Sequence, residues 1–135
     1  MGTSGNRKMV FKRFTVRDEK CAMKIGTDGV MIGAWASPNH NHKITQFQIA
    51  DIGSGSGVIA LMLAQRFPES FITAVELEPQ AAEQSQENFN ASPFHSRLEC
   101  IEESFQEWSL RVANDSRYDL VVSNPPFFHG KPKSP

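Results

Sequence analysis

Residues 47–63 read FQIADIGSGSGVIALML, and this stretch decides the fold. Phe47–Ile52 is a short apolar run of the kind found in buried strands, and the glycine-rich GSGSG follows it directly. Apolar residues then recur at helical spacing over Val58–Phe67, up to Pro68. The stretch therefore predicts a strand, a tight turn and a helix.

The same order of elements recurs along the rest of the chain. Apolar, β-branched runs predict further strands at Phe71–Val75, Leu98–Ile101 and Tyr118–Ser123, with helices between them. Strands that alternate with helices indicate a parallel sheet covered on both faces, and such sheets bind ligands at the carboxyl ends of their strands. The sequence thus predicts an α/β fold with about four parallel strands and flanking helices.

A different pattern precedes this sheet. Val10–Val16 and Cys21–Ile25 flank a polar stretch and predict a hairpin of two short strands. Thr27 or Asp28 is then expected to cap the N-terminus of a short apolar helix. We divide the chain into a basic N-terminal segment, residues 1–46, and a cofactor-binding domain, residues 47–135.

Composition and charge limit the classes of protein. Leu, Ile, Val and Phe make up about a quarter of the chain, enough for a packed core in which Trp35 and Trp108 are expected. No apolar run reaches the roughly 18–20 residues of a membrane span. Cys21 and Cys100 lie far apart, which fits the cytoplasm, and the histidines lack the spacing of metal ligands. We therefore expect a cytoplasmic protein with no membrane contact and no metal.

Charge is unevenly distributed along the chain. Residues 1–24 carry a net charge of +5 and residues 25–135 carry −6. This asymmetry permits a nucleic-acid partner on the N-terminal side, and an ordinary solvated basic segment is the alternative.

The glycine turn predicts a nucleoside cofactor. Gly53, Gly55 and Gly57 allow a sharp turn and close approach of a ligand to the backbone, and Asp51 precedes them. The dinucleotide fingerprint needs glycine at its sixth position, where Val58 stands, and no phosphate-binding GxxxxGK[ST] pattern is present. A pyrophosphate-binding turn is therefore disfavoured.

Two further motifs follow later strands. Glu76 ends the second predicted strand, where a carboxylate can accept hydrogen bonds from both ribose hydroxyls, and Leu77 is expected on the adenine face. Asn124 and Pro125 follow the fourth strand, in a turn that proline fixes as extended. Their two oxygens can accept both N–H bonds of a weakly nucleophilic amino group as it becomes tetrahedral, and Phe127 can stack on a planar target.

These motifs resemble those of the S-adenosylmethionine-dependent methyltransferases that modify adenine N6 or protein glutamine. DIGSGSG, VELEP and NPPF stand in the order of that family, which implies a Rossmann-like class I methyltransferase sheet and S-adenosylmethionine as cofactor. The stretch CAMKIGTDG followed by GAWA is similar to the bacterial enzymes that N6-methylate the adenosine beside the anticodon of valine tRNA. This narrower resemblance implies a tRNA partner. Protein-glutamine methylation, DNA adenine methylation and a non-catalytic nucleoside- or RNA-binding role remain alternatives.

The resemblance also implies roles for individual residues. Asp51 and the three glycines would line the methionine and ribose portions of the cofactor. Lys24, Thr27 and Asp28 would contact its methionine portion. Asn124, Pro125 and Phe127 would hold the target base. The family usually has an Asp that binds the adenine amino group, and this chain has Ser104-Phe105 at that place. The serine oxygen can still accept one hydrogen bond, but it lacks the negative charge of a carboxylate.

The family also has strands beyond its Asn-Pro-Pro loop. We therefore expect this sequence to be the N-terminal portion of a longer enzyme, and not a complete, independently active methyltransferase. Its oligomeric state is left open.

Overall fold

The computed structural model describes residues 8–38, 46–113 and 118–124. It begins with two short strands and a helix: β1 (Lys8–Val10), β2 (Thr15–Arg17) and α1 (Thr27–Trp35). The remaining helices and strands alternate: β3 (Gln48–Ile52), α2 (Val58–Arg66), β4 (Phe71–Glu76), α3 (Pro79–Asn90), β5 (Leu98–Glu102), α4 (Phe105–Val112) and β6 (Leu120–Ser123). The predicted alternation is confirmed.

Strands β3 to β6 form one sheet in the order β5-β4-β3-β6, and all three pairings are parallel. In the β3 register, Asp51 lies opposite Ala74 of β4 and Val122 of β6. The carboxyl ends of all four strands therefore meet at one edge of the sheet, which carries the predicted ligand loops.

The two faces of the sheet are packed differently. One face contributes Ile49 and Ile72 to the larger hydrophobic cluster, which also holds α2. The other face packs Ala50 and Val75 against Trp108 of α4, so the expectation that this tryptophan is in the core is confirmed.

The same expectation is wrong for Trp35, which is 78% exposed. Helix α1 buries Gly29 and Gly33, and a Cβ at position 33 would lie 2.6 Å from Sδ of Met62 in α2. Two residues further on, a helix has turned by about 200°, which directs Trp35 away from α2.

A hairpin is present before α1, but both of its predicted strands are wrong, because the turn between β1 and β2 falls inside the predicted first strand, Val10–Val16. β1 pairs with β2, and Cys21–Ile25 forms a loop. Buried Asp18 organises this loop, because its carboxylate accepts the Ile25 amide at 2.8 Å and its carbonyl accepts the Cys21 amide at 3.0 Å. Backbone amides engaged in this way are not available to a strand ladder.

The predicted cap of α1 is also wrong. Gly26, in an extended conformation, is the N-cap residue and supplies no side chain, so Thr27 and Asp28 lie in the first turn. A carboxylate at Asp28 still interacts favourably with the positive end of the helix dipole.

The N-terminal segment and the sheet share one hydrophobic cluster. Phe14 and Val16 belong to the same buried cluster as Ile49. Asn88 of α3 accepts the Arg17 amide at 3.1 Å and donates to the Arg17 carbonyl at 2.8 Å. The division into residues 1–46 and 47–135 stays a prediction. None of the described helices is long and apolar enough to cross a membrane.

Candidate cofactor and active site

The turn after β3 has the left-handed backbone that its glycines predict. Gly53, Gly55 and Gly57 have φ values of 72°, 55° and 87°. A Cβ added at Gly53 or Gly55 would meet no atom within 4 Å, whereas one at Gly57 would lie 2.6 Å from Cε1 of Phe89. The first two glycines therefore border open space, and the third is required by packing.

Glu76 at the end of β4 holds this turn in place. Its Oε1 accepts the Gly55 amide at 2.7 Å, and its Oε2 accepts the Glu78 amide at 3.0 Å. A carboxylate offers about four lone-pair positions, so acceptor capacity remains on both oxygens for ribose hydroxyls. Glu78 is the N-cap of α3, and its side chain accepts the Gln80 amide. Glu76 was predicted only to accept hydrogen bonds from ribose hydroxyls, and its bond to the Gly55 amide was not predicted.

Polar residues on the buried side of α3 support the same turn. Ser85 Oγ donates to the Gly55 carbonyl at 2.6 Å and lies 2.9 Å from Ser54 Oγ. Asn88 donates to the Ser56 carbonyl at 2.7 Å. Neither Ser85 nor Asn88 was among the residues predicted to form the site. Their signal was available, since polar residues that share a helix face with Phe89 must find partners when buried.

Asp51 lies beneath the turn and does not line it. Its side chain is fully buried, and within the described chain neither carboxylate oxygen has a hydrogen-bond partner. Burial raises the pKa of the Asp51 carboxyl to about 7, and the nearby Glu76 carboxylate adds to this shift. The predicted contact of Asp51 with the cofactor stays a prediction.

We expect Asp51 to make folding stability depend on pH. An unfolded chain ionises this group near pH 3.8, whereas the folded chain keeps the proton up to about pH 7. Between these values unfolding releases a proton, so the free energy of unfolding falls as pH rises, by at most about 1.4 kcal/mol per pH unit. Above about pH 7 the contribution is constant.

Denaturant unfolding between pH 4.5 and 7.5 measures this slope. Asp51→Asn removes the titrating group and should flatten the curve relative to the unmodified chain, whereas Glu69→Gln, at an exposed carboxylate, should leave it unchanged. Parallel curves for the unmodified chain and Asp51→Asn would show that burial does not shift this carboxyl.

The segment before α1 and the end of β6 meet at the glycine turn. Asn124 directly follows β6, and its Nδ2 lies 3.2 Å from the position that a Cβ of Gly29 would take, so the glycine makes room for this side chain. Two adjoining pockets share Lys24 and Asn124. The first pocket is also lined by the glycine turn, with Gly53, Ser54, Gly55 and Ser56. The second is also lined by the first residues of α1, Thr27 and Asp28.

The structure thus brings together most of the residues predicted for the methionine side and the target base. Lys24 Nζ itself donates to the Asp18 carbonyl at 2.9 Å, which fixes the stem of this side chain along the pocket wall. Pro125 and Phe127 lie outside the described residues. A larger open cavity at the amino ends of β3, β4 and β5 contains none of the predicted site residues.

The residues predicted to contact the adenine ring are two exposed apolar side chains and a helix-capping serine. Leu77 and Phe105 are 64% and 50% exposed, and each follows the carboxyl end of a strand. Ser104 is the N-cap of α4: its Oγ accepts the Glu107 amide at 3.1 Å and donates to the Glu107 carboxylate. Its predicted bond to adenine therefore competes with a capping bond, and all three roles stay predictions.

The two cysteines are not nucleophiles. Burial raises the pKa of the Cys21 and Cys100 thiols to about 11. Since the thiolate is the reactive form, both remain protonated at neutral pH.

A solved structure shares the fold, and a family model identifies the class of protein. The chain superposes on the S-adenosylmethionine-dependent methyltransferase of Agrobacterium tumefaciens with a TM-score of 0.69, over 88% of this chain and 39% of that one, at 16% identity. A family model for the methyltransferase small domain matches residues 37–135. The chain belongs to the methyltransferase small domain family.

Among curated proteins, the chain is similar to a group of bacterial tRNA methyltransferases. The chain is 48% identical over 123 residues to the tRNA1(Val) (adenine(37)-N6)-methyltransferase of Christiangramia forsetii, which covers 91% of this chain and 50% of the relative. It is 49% identical over 118 residues to the protein of the same name from Flavobacterium johnsoniae, covering 87% and 48%. The chain therefore spans about half the length of the curated relatives that it matches.

Proposed function

We propose that this chain contains the cofactor-binding part of a tRNA adenine-N6 methyltransferase. One observation carries the proposal: Gly53 and Gly55 border open space at the carboxyl edge of the sheet, between the Glu76 carboxylate and the Asn124 side chain. A ligand there meets a carboxylate for its ribose on one side and an amide oxygen for a reacting amino group on the other.

The described residues fit S-adenosylmethionine. Glu76 has acceptor capacity for two ribose hydroxyls, and its bond to the Gly55 amide holds the turn against the ligand. Thr27 and Asp28 at the start of α1, with Lys24, would hold the methionine portion. When bound, the cofactor supplies an electrophilic methyl group on a sulfonium ion.

Asn124 is proposed to bind the reacting amino group. The N6 lone pair of adenine is delocalised into the ring, so attack on a methyl group requires that the nitrogen become tetrahedral. A side-chain oxygen that accepts an N–H bond in this geometry stabilises the transition state more than the ground state. The Pro125 carbonyl would accept the second N–H, and Phe127 would stack on the base. Both assignments rest on the sequence.

A tRNA substrate is supported by the relatives, which are named for it, and by the basic N-terminal segment. The target base would leave its stack to reach Asn124. Such a substrate places the enzyme in the cytoplasm. Transfer of labelled methyl groups to unmodified valine tRNA, to duplex DNA and to glutamine-bearing protein would separate the alternatives. It is best measured with the chain joined to the unmatched part of the Christiangramia forsetii relative.

Cofactor binding by the chain itself tests the proposal most directly. Titration calorimetry with S-adenosylhomocysteine should detect binding to the unmodified chain and weaker binding to Glu76→Ala, with a loss on the order of 1–3 kcal/mol for the buried hydrogen bonds. Glu102→Ala is the matched control, because Glu102 lies opposite Glu76 in the sheet register and carries the same charge.

Glu102→Ala should bind as the unmodified chain does. Thermal unfolding of Glu76→Ala is recorded in parallel, since the substitution also removes two bonds to backbone amides. Unchanged affinity in Glu76→Ala would remove this residue from the site, and absence of binding by the unmodified chain would overturn the proposed function.

A further inference from the structure

The nine described Lys and Arg residues fall into two groups. Five are held by carboxylates or by backbone carbonyls: Lys20, Lys24, Arg66, Arg97 and Arg111. The other four lie on β1, on β2 or in the turn between them, and we call them the basic hairpin: Lys8, Lys12, Arg13 and Arg17. Among the described residues, the side chains of this second group make no hydrogen bond to a carboxylate or a backbone carbonyl.

The strand register places two of these charges side by side. Lys8 lies opposite Arg17, and the neighbouring pair Met9 and Val16 faces the other way, with Val16 fully buried. Lys8 and Arg17 therefore share the outer face. Like charges directly opposite each other destabilise a strand pair. Among the described residues, Lys8 has no ion pair, and Arg17 has one loose contact at 3.9 Å, to Glu19.

The turn extends the same positive surface. Lys12 and Arg13 are exposed, and the Arg13 guanidinium lies over the Phe94 ring, 5.3 Å from its centroid. No acidic residue occurs between positions 8 and 17, whereas residues 25–135 have a net charge of −6. A polyanion is therefore attracted to the hairpin and repelled by much of the remaining chain.

One end of the hairpin is connected to the glycine turn through Asn88 of α3. The Arg17 amide bonds to Asn88, and Asn88 bonds in turn to the Ser56 carbonyl of the glycine turn. From Arg17 the chain runs directly to the pocket wall at Met23–Gly26. Arg17 is therefore separated from the glycine turn by one side chain and from the pocket wall by five residues of chain.

We propose that the basic hairpin binds backbone phosphates of the RNA substrate and so positions the target nucleotide at the pocket. This inference rests on the proposed tRNA substrate. In this role Lys8, Lys12, Arg13 and Arg17 contact phosphates whatever the base sequence. Such contacts set the affinity for RNA and the dependence of that affinity on salt.

Binding of unmodified valine tRNA to the 135-residue chain, measured across a range of salt concentrations, tests the inference. Two double variants are compared, Lys8→Gln with Arg17→Gln and Lys12→Gln with Arg13→Gln. Each should bind at least about tenfold more weakly near 0.1 M salt and should lower the slope of log K against log salt by about 2. The matched control, Lys20→Gln with Arg111→Gln, changes the net charge equally at bases already paired with acids.

The outcomes separate this inference from the proposed function. S-adenosylhomocysteine binding should be unchanged in both hairpin variants, which shows that they are folded. If the hairpin variants bind tRNA as the control does, the inference is overturned and the proposed function stands. If the unmodified chain binds cofactor but prefers anionic lipid vesicles to tRNA, or binds no tRNA, the inference fails together with the proposed substrate.

Discussion

Asn124→Ala is expected to lower the rate of methyl transfer on the order of 100-fold or more and to leave cofactor affinity nearly unchanged. The side-chain oxygen of Asn124 is proposed to accept a bond that strengthens as the adenine nitrogen becomes tetrahedral. Loss of such an acceptor raises the barrier to reaction and has little effect on the bound ground state. The position of Asn124 between the glycine turn and α1 supports this role.

Single-turnover transfer to unmodified valine tRNA, in the chain joined to the unmatched part of the Christiangramia forsetii relative, measures the rate. Calorimetry on the same variant measures cofactor affinity. Asn124→Asp keeps an acceptor oxygen and should retain more activity than Asn124→Ala, and Ser123→Ala, at the preceding exposed residue, should remain active. Near-normal turnover in Asn124→Ala would make the Asn-Pro-Pro stretch a structural turn only.

Gly57→Ala is expected to lower the free energy of unfolding by about 2–5 kcal/mol. Its φ of 87° is a left-handed conformation that costs an L-residue energy. The new Cβ would also lie 2.6 Å from Cε1 of Phe89, a fully buried ring that cannot move aside without disturbing the core. Strain and overpacking therefore act together at this position.

Gly55→Ala separates the two causes. Gly55 also has a positive φ, 55°, but a Cβ there meets no atom within 4 Å. Denaturant unfolding should show a loss of only about 1–2 kcal/mol, from backbone strain alone. The added methyl group would instead project into the proposed ligand space and weaken S-adenosylhomocysteine binding. Equal destabilisation by the two substitutions would contradict the packing role of Gly57.

The parts of the fold that sequence predicted correctly are those with a strong local signal. The apolar run before Gly53 and the helical spacing after Val58 indicate a strand and a helix whatever surrounds them. Local signals also indicate the end of the last strand: Asn124 follows the apolar run of β6 and precedes two prolines. Because parallel strands end at one edge, these local predictions sufficed to bring the glycine turn near Asn124.

The errors arose where hydrogen bonds or backbone conformation outweigh the apolar pattern and the capping preference of the local sequence. Cys21–Ile25 has the apolar character of a strand, yet the buried Asp18 takes up its amides. The N-cap of α1 is Gly26, although two better capping residues follow it. The helix face shared with Phe89 indicates that Ser85 needs a partner, but which backbone group it and Glu76 bind depends on how α3 packs beside β3 and β4.

The pairing of β6 with β3 has a consequence for the order in which the protein forms during synthesis. β3 leaves the ribosome almost 70 residues before β6, which at about 5–20 residues per second is a delay of roughly 3–14 s. During that interval β4 and then β5 are synthesised and can pair on one side of β3, while the other edge of β3 stays unpaired and open to wrong partners. The glycine turn can form in this early intermediate, but Asn124 arrives only with β6. The ability to bind cofactor should therefore precede the ability to hold a target base in a nascent chain.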